Sequence, residues 1–128
     1  MTVLPTSFPT AAEGFPRPRL AVVVPARDRR ESLPRTLASV LSSPRADIEL
    51  IVVDDGSLDG TESYLASLDD PRLAWRRLPV PGGANRARNQ GAALSSAPLI
   101  AFLDSDDAFC PGRIERLIDF FDANPDVD

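Results

Sequence analysis

The sequence predicts an α/β fold: an open, mostly parallel sheet with helices on both faces. Two observations carry this expectation. Short apolar runs alternate with stretches of helical periodicity between residues 20 and 121, the pattern of strand–helix units that build parallel sheets. The polar stretches rich in Gly and Asp fall directly after the apolar runs, at the strand ends where open α/β sheets bind ligands.

The elements follow in order. Residues 1–18 hold Pro5, Pro9, Pro16 and Pro18 without a periodic apolar pattern, and are expected to form a flexible extension before a domain over 19–128. Leu20-Ala21-Val22-Val23-Val24 is a continuous apolar run stopped by Pro25, which suits a strand covered on both faces. Asp28 is expected to cap a helix with Pro34 in its first turn and Leu33, Leu37, Val40 and Leu41 on one face. Residues 48–53 form a second apolar strand, ended by Asp54-Asp55-Gly56-Ser57. Ser57 and Asp59 offer caps for a helix in which Tyr64, Leu65 and Leu68 share a face. A weaker strand with Trp75 spans 73–77. A flexible stretch, 79–83, leads into a small-residue helix over about 84–95, with Ala87, Gly91 and Leu94 aligned. Residues 99–103 make a fourth strand running into Asp104-Ser105-Asp106-Asp107. Pro111 opens a last helix with Ile114, Leu117, Ile118 and Phe121 on one face.

Composition narrows the chemistry. The 128 residues are 43% hydrophobic and 26% charged, as in an ordinary globular domain. No apolar run approaches the ~20 residues of a membrane span. The N-terminus lacks the basic and apolar regions of a secretory signal, so cytoplasmic residence is the expectation. There is no histidine, which excludes imidazole bases, His triads and His-ligated metals. Cys110 is a single cysteine and forms neither an internal disulfide nor a zinc site. The net charge of −5 argues against a nucleic-acid surface. Acid–base work then falls to carboxylates, and a metal would sit on oxygen.

Three stretches carry candidate chemistry. In Asp104-Ser105-Asp106-Asp107, three carboxylates repel one another beside a strand end unless a cation neutralises them. Alternation along an extended segment would point Asp104 and Asp106 the same way, which suits Mg²⁺ or Mn²⁺ with water and phosphate completing the shell. A polar loop before the last helix explains the tetrad equally well. Asp54-Asp55-Gly56-Ser57 is a tight turn after a buried strand, where a carboxylate could accept hydrogen bonds from a base or ribose. Arg86 and Arg88, after Gly82-Gly83 near a helix start, favour an anion; a solvated helix face is the plainer alternative. No Walker A or GxGxxG motif occurs.

In this order the pieces resemble glycosyltransferase family 2, of the Rossmann-like GT-A fold, over residues 20–126. The family's "VVIPxYN" strand stands here as Val22-Val23-Val24-Pro25-Ala26-Arg27-Asp28. Its "VVDDGSxDGT" segment lies within 49–61, its "GxxxARNxG" segment at 83–91, and its "hhFLDxDD" segment at 100–107. The resemblance implies an inverting transferase that moves a sugar from a nucleotide diphosphate sugar, commonly a UDP-sugar, to an acceptor hydroxyl. Pro25, Ala26 and Arg27 would line the base pocket, with Asp55 and its neighbour Asp54 holding the base. Arg86 or Arg88 would lie near the base or phosphates. Asp104, Ser105 and Asp106 match the DXD motif, with Asp104, Asp106 and Asp107 as candidates for a Mg²⁺ or Mn²⁺ ligand. Where relatives carry Tyr-Asn, this chain has Arg27-Asp28, so its base contacts would differ. The family's acceptor-binding half and its catalytic base are expected beyond Asp128, so no catalytic residue is nominated here and the chain alone is expected to turn over little. A binding or assembly module without turnover is the alternative. A sheet cut before that half would expose an apolar edge, and a homodimer through it is expected. Two other enzyme classes fit less well: a nucleotidyltransferase would place a Gly-rich basic loop after its first strand, and an aspartyl phosphatase its DxDxT there.

Overall fold

The computed structural model describes residues 17–127, so nearly all of the extension expected over 1–18 lies outside the described residues. Four strands and four helices alternate. They are β1 (Leu20–Ala26), α1 (Leu33–Leu41), β2 (Ile48–Asp54), α2 (Thr61–Ala66), β3 (Leu73–Arg77), α3 (Ala84–Leu94), β4 (Leu99–Phe102) and α4 (Arg113–Ala123). Every pairing is parallel and the spatial order is β3-β2-β1-β4. The mostly parallel sheet flanked by helices is therefore the fold the sequence predicts.

Alternation along the central strands sorts the core into two layers. Leu20, Val22, Val24, Ile48, Leu50 and Val52 face α1, α2 and α4, which contribute Leu33, Leu37, Val40, Leu65, Ile114 and Ile118. Burying each such side chain contributes about 2 kcal/mol. Ala21, Val23, Ile51 and Val53 face the other way, onto Ala87 of α3. Gly91 lets α3 come close on that face: a Cβ there would stand 2.4 Å from Val23 Cγ1 and 3.2 Å from Val53 Cγ2. Its close seating carries the N-terminal end of α3 down to the strand ends. At the opposite end of the sheet, Arg72 donates to the carbonyls of Leu41 (2.8 Å) and Ser43 (2.7 Å) at the close of α1. The same guanidinium, hydrogen-bonded to Asp70, holds that carboxyl below the ordinary carboxylate range.

Three local expectations are corrected. Pro25 does not stop β1, which continues through it to Ala26. Val23 O accepts from Leu103 N–H and Ala26 O from Asp55 N–H, so residues 23 and 25 face β4 while 24 and 26 face β2. β4 pairs with β1 only as far as Val23, so the donor that proline lacks has no strand partner to disappoint. Asp28 does not cap α1; Ser32 holds that position. Asp28 instead adopts φ 53°, a left-handed conformation that Asp tolerates better than most residues. From there it ties two loops together: its N–H donates to Ser57 Oγ (2.8 Å) and its carboxylate accepts from Leu58 N–H (2.8 Å). Neither cap expected for α2 holds that position, which Gly60 takes without a side-chain cap; Asp59 accepts from the N–H (3.2 Å) and hydroxyl (2.5 Å) of Thr61 from just before it.

β4 is an edge strand, and Ile100 and Phe102 on it are 40% and 50% exposed. Among the described residues, no helix is long and apolar enough to cross a membrane.

Candidate functional site

The strand order reverses at β1. The chain lays β2 and β3 on one side, then returns through α3 to place β4 on the other. The crevice beyond the carboxyl ends of β1 and β4 is the topological switch point, where open α/β sheets take ligands. A cleft of about 520 Å³ opens there. Pro25 and Ala26 at the end of β1, with Arg27 and Arg29 after it, form one wall, and Asp55 after β2 lies between. Gly83, Ala84, Ala87 and Arg88 at the start of α3 form the second wall. Asp104, Ser105 and Asp106 after β4 close the cleft.

The acidic segment is a turn, not the extended run expected from the sequence. Asp107 N–H donates to Asp104 O at 3.0 Å, which folds 104–107 back on itself. Ser105 is buried beneath it. Its carbonyl lies 2.9 Å from the hydroxyls of both Ser32 and Thr36, and Thr36 Oγ1 is also 2.5 Å from Asp107 O. The turn, braced from α1, is what gathers the acids. Asp104, Asp106 and Asp107 are all exposed and offer one oxygen each, all within 4.8 Å of one another. Oxygens on opposite sides of a Mg²⁺-sized ion stand roughly 4.2 Å apart, so small side-chain rotations in exposed residues close the gap. Three hard oxygen donors at that spacing fit a divalent cation of the Mg²⁺ or Mn²⁺ kind.

The two neighbouring aspartates after β2 divide their work. Asp54 is 0% exposed; its Oδ1 accepts from Ser57 N–H (2.9 Å) and its Oδ2 from Arg77 Nη1 (3.1 Å). It lies beneath the cleft rather than on it. Asp55 lines the cleft and accepts from Gly82 N–H (2.8 Å) and Gly83 N–H (2.9 Å), one on each oxygen. Each oxygen keeps a second lone pair for a ligand. Gly56 allows the same closeness from the other side: its φ is +78° and a Cβ there would meet Pro81 Cγ at 2.8 Å.

The two arginines also part. Arg86 folds back over the 79–83 stretch, donating to Val80 O at 3.1 Å, and is not among the cleft's lining residues. Arg88 is, with Nη2 3.0 Å from Asp104 Oδ1. The structure thus brings Pro25, Ala26, Arg27, Asp55, Arg88, Asp104, Ser105 and Asp106 to one cleft, with Asp107 beside it in the acid group. Arg29, Ala84 and Ala87 also line the cleft, though none of them was a candidate site residue. Thr36 was missed as the brace of the acidic turn; the signal was a polar residue inside the apolar stripe of Leu33, Leu37 and Val40.

A Rossmann-like sheet with this topology and an acid group closing its switch-point cleft matches the GT-A type of nucleotide-sugar domain. The sequence agrees: residues 21–128 match the model of glycosyl transferase family 2, and the chain belongs to that family. A curated relative, the succinoglycan biosynthesis protein ExoU of Rhizobium meliloti, is 38% identical over 101 residues, covering 77% of this chain and 29% of the relative. The UDP-Glc:alpha-D-GlcNAc-diphosphoundecaprenol beta-1,3-glucosyltransferase WfgD of Escherichia coli is 31% identical, over 77% of this chain and 39% of its own length. Among solved structures, the mannosyltransferase PcManGT of Pyrobaculum calidifontis, in complex with GDP-Man and Mn²⁺, superposes with a TM-score of 0.68. It is 26% identical, over 80% of this chain and 31% of the other. This chain therefore spans between a quarter and two fifths of the length of these relatives.

Proposed function

We propose that the chain is the donor-binding portion of an inverting glycosyltransferase that draws a sugar from a UDP-sugar, with a divalent metal assisting, in polysaccharide biosynthesis. The observation that carries this reading is the convergence of Asp55, Arg88, Asp104 and Asp106 on one cleft at the switch point, with Asp107 beside it in the acid group. In it, Asp55 and the backbone around Pro25, Ala26 and Arg27 recognise the base. Arg88 meets the diphosphate, and Asp104 and Ser105 the ribose or sugar. Asp106, with Asp104 and Asp107, would hold Mg²⁺ or Mn²⁺, which when bound offsets the negative charge of the departing nucleoside diphosphate. The exposed β4 edge supports self-association of copies of this chain as part of the same reading; a monomer mass that does not change with concentration in light scattering would remove that part.

A second reading, a donor-binding or assembly module without turnover, is favoured by one observation. Among the described residues, the carboxylates lining the cleft are Asp55, Asp104 and Asp106, all committed to donor and metal. None is left to deprotonate an acceptor hydroxyl. Release of UDP from UDP-glucose in the presence of Mn²⁺ separates the readings, since only a turning-over site would produce it.

Calorimetric titration tests the donor reading itself. UDP is expected to bind about tenfold more tightly with Mn²⁺ than with a chelator. A folded chain that binds UDP in neither condition overturns the proposal. Tighter binding of GDP than of UDP would keep the donor site and overturn the uridine assignment.

A further inference from the structure

Resting on the donor-site reading above, a further inference concerns the ion pair across the cleft. We propose that Arg88 is a latch coupling metal to diphosphate: it occupies Asp104 in the empty site and moves to the donor's diphosphate when a divalent cation takes that carboxylate. Three observations carry this. Arg88 Nη2 lies 3.0 Å from Asp104 Oδ1, and both residues line the cleft. Asp104 is also one of the three acids whose oxygens gather within 4.8 Å. Among the described residues Arg88 pairs with no other carboxylate; its remaining side-chain hydrogen bond is to the side-chain oxygen Oδ1 of Asn85, at 3.2 Å.

One carboxylate thus answers to two cations. A metal ion arriving alone competes with the guanidinium for the Asp104 carboxylate and leaves Arg88 beside a new positive charge. That opposes metal binding in the empty site. A nucleoside diphosphate removes the opposition, because a guanidinium forks onto phosphate oxygens at least as well as onto a carboxylate. The pair is half-open to solvent, with side chains 32% and 56% exposed. Exposed pairs of this kind are weak, so the latch gives way without large cost. The consequence is reciprocal: each ligand strengthens the other by the same factor, beyond what their direct contact supplies.

Free Mn²⁺ measured by electron paramagnetic resonance, with and without UDP, tests the latch, alongside UDP titrations. Arg88→Gln is expected to bind Mn²⁺ alone about threefold more tightly and UDP in Mn²⁺ about tenfold more weakly, with a smaller coupling factor between them. Arg35→Gln on the exposed face of α1 makes the same charge change away from the cleft and is expected to move neither. An Arg88→Gln variant whose Mn²⁺ affinity without nucleotide is unchanged or lower overturns the proposal, even if its UDP binding falls. Loss of both Mn²⁺ and UDP binding in the wild-type chain would overturn the donor-site reading and the latch with it. A second measurement needs no variant: in an arginine-labelled wild-type chain, the Arg88 Nε–H resonance is expected to shift on adding Mg²⁺ alone. A resonance that stays in place while Mg²⁺ binds overturns the latch.

Discussion

Asp106→Ala is expected to weaken Mn²⁺ binding by about 100-fold or more, the loss that follows when a metal site is deprived of a ligand rather than of an outer support. Asp106 both lines the cleft and belongs to the group of three; Asp104 does too, but it is also paired with Arg88, so Asp106 is the change that removes a metal ligand without freeing that arginine. The same variant should leave the fold intact. Its carboxylate is exposed and accepts no hydrogen bond from another described side chain, and removing it relieves repulsion within the group. The melting temperature in chelator should therefore stay level or rise slightly, while UDP affinity in chelator stays near the wild-type value. The gain in UDP affinity on adding Mn²⁺ should vanish. Asp107→Ala makes the comparison informative, because Asp107 belongs to the acid group but not to the cleft lining. Equal Mn²⁺ affinity in wild type and Asp106→Ala would move the metal away from this turn altogether.

The order of elements was legible because each strand is a short apolar run bounded by polar turn residues, and each helix keeps an apolar stripe at helical spacing. What escaped the sequence were features decided by distant partners. Whether Pro25 ends a strand depends on how far β4 extends beside it. Whether Asp28 caps a helix depends on Ser57 and Leu58, thirty residues away, offering it better-placed partners. The acids at the strand ends could be read from position alone, and they do surround one cleft. Which member of each adjacent pair faces the cleft could not. Asp54 and Asp55 are neighbours, yet the register that sets Asp54 opposite Arg77 turns one inward and leaves the other to the cleft. Arg86 and Arg88 diverge because the turn before α3 gives Arg86 a carbonyl to hold. The acidic tetrad was read as extended, and its true form as a turn rests on Thr36 and Ser32 of another element.

Asp54→Ala is expected to destabilise the fold by about 3 kcal/mol, the range for removing one partner of a buried ion pair. Its carboxylate has no contact with water, with Oδ1 on the Ser57 N–H and Oδ2 on Arg77. Without it, the Ser57 N–H loses its acceptor inside a buried turn, a cost of about 1–3 kcal/mol in itself. Arg77 would keep Glu62 at 3.1 Å and the Ser57 carbonyl at 2.8 Å, which limits the loss. For a domain of this size the melting temperature should fall by roughly 10 °C or more. Asp54→Asn retains an acceptor for Ser57 N–H and should lose less than half as much. The contrast with Asp55 separates support from recognition. Where Asp54→Asn remains folded, its UDP affinity should stay within about twofold of wild type, since the residue lies under the cleft and offers no free oxygen to a ligand. A folded Asp54→Asn chain with UDP binding reduced tenfold would place Asp54 among the ligand contacts and reverse the division of labour between the two aspartates.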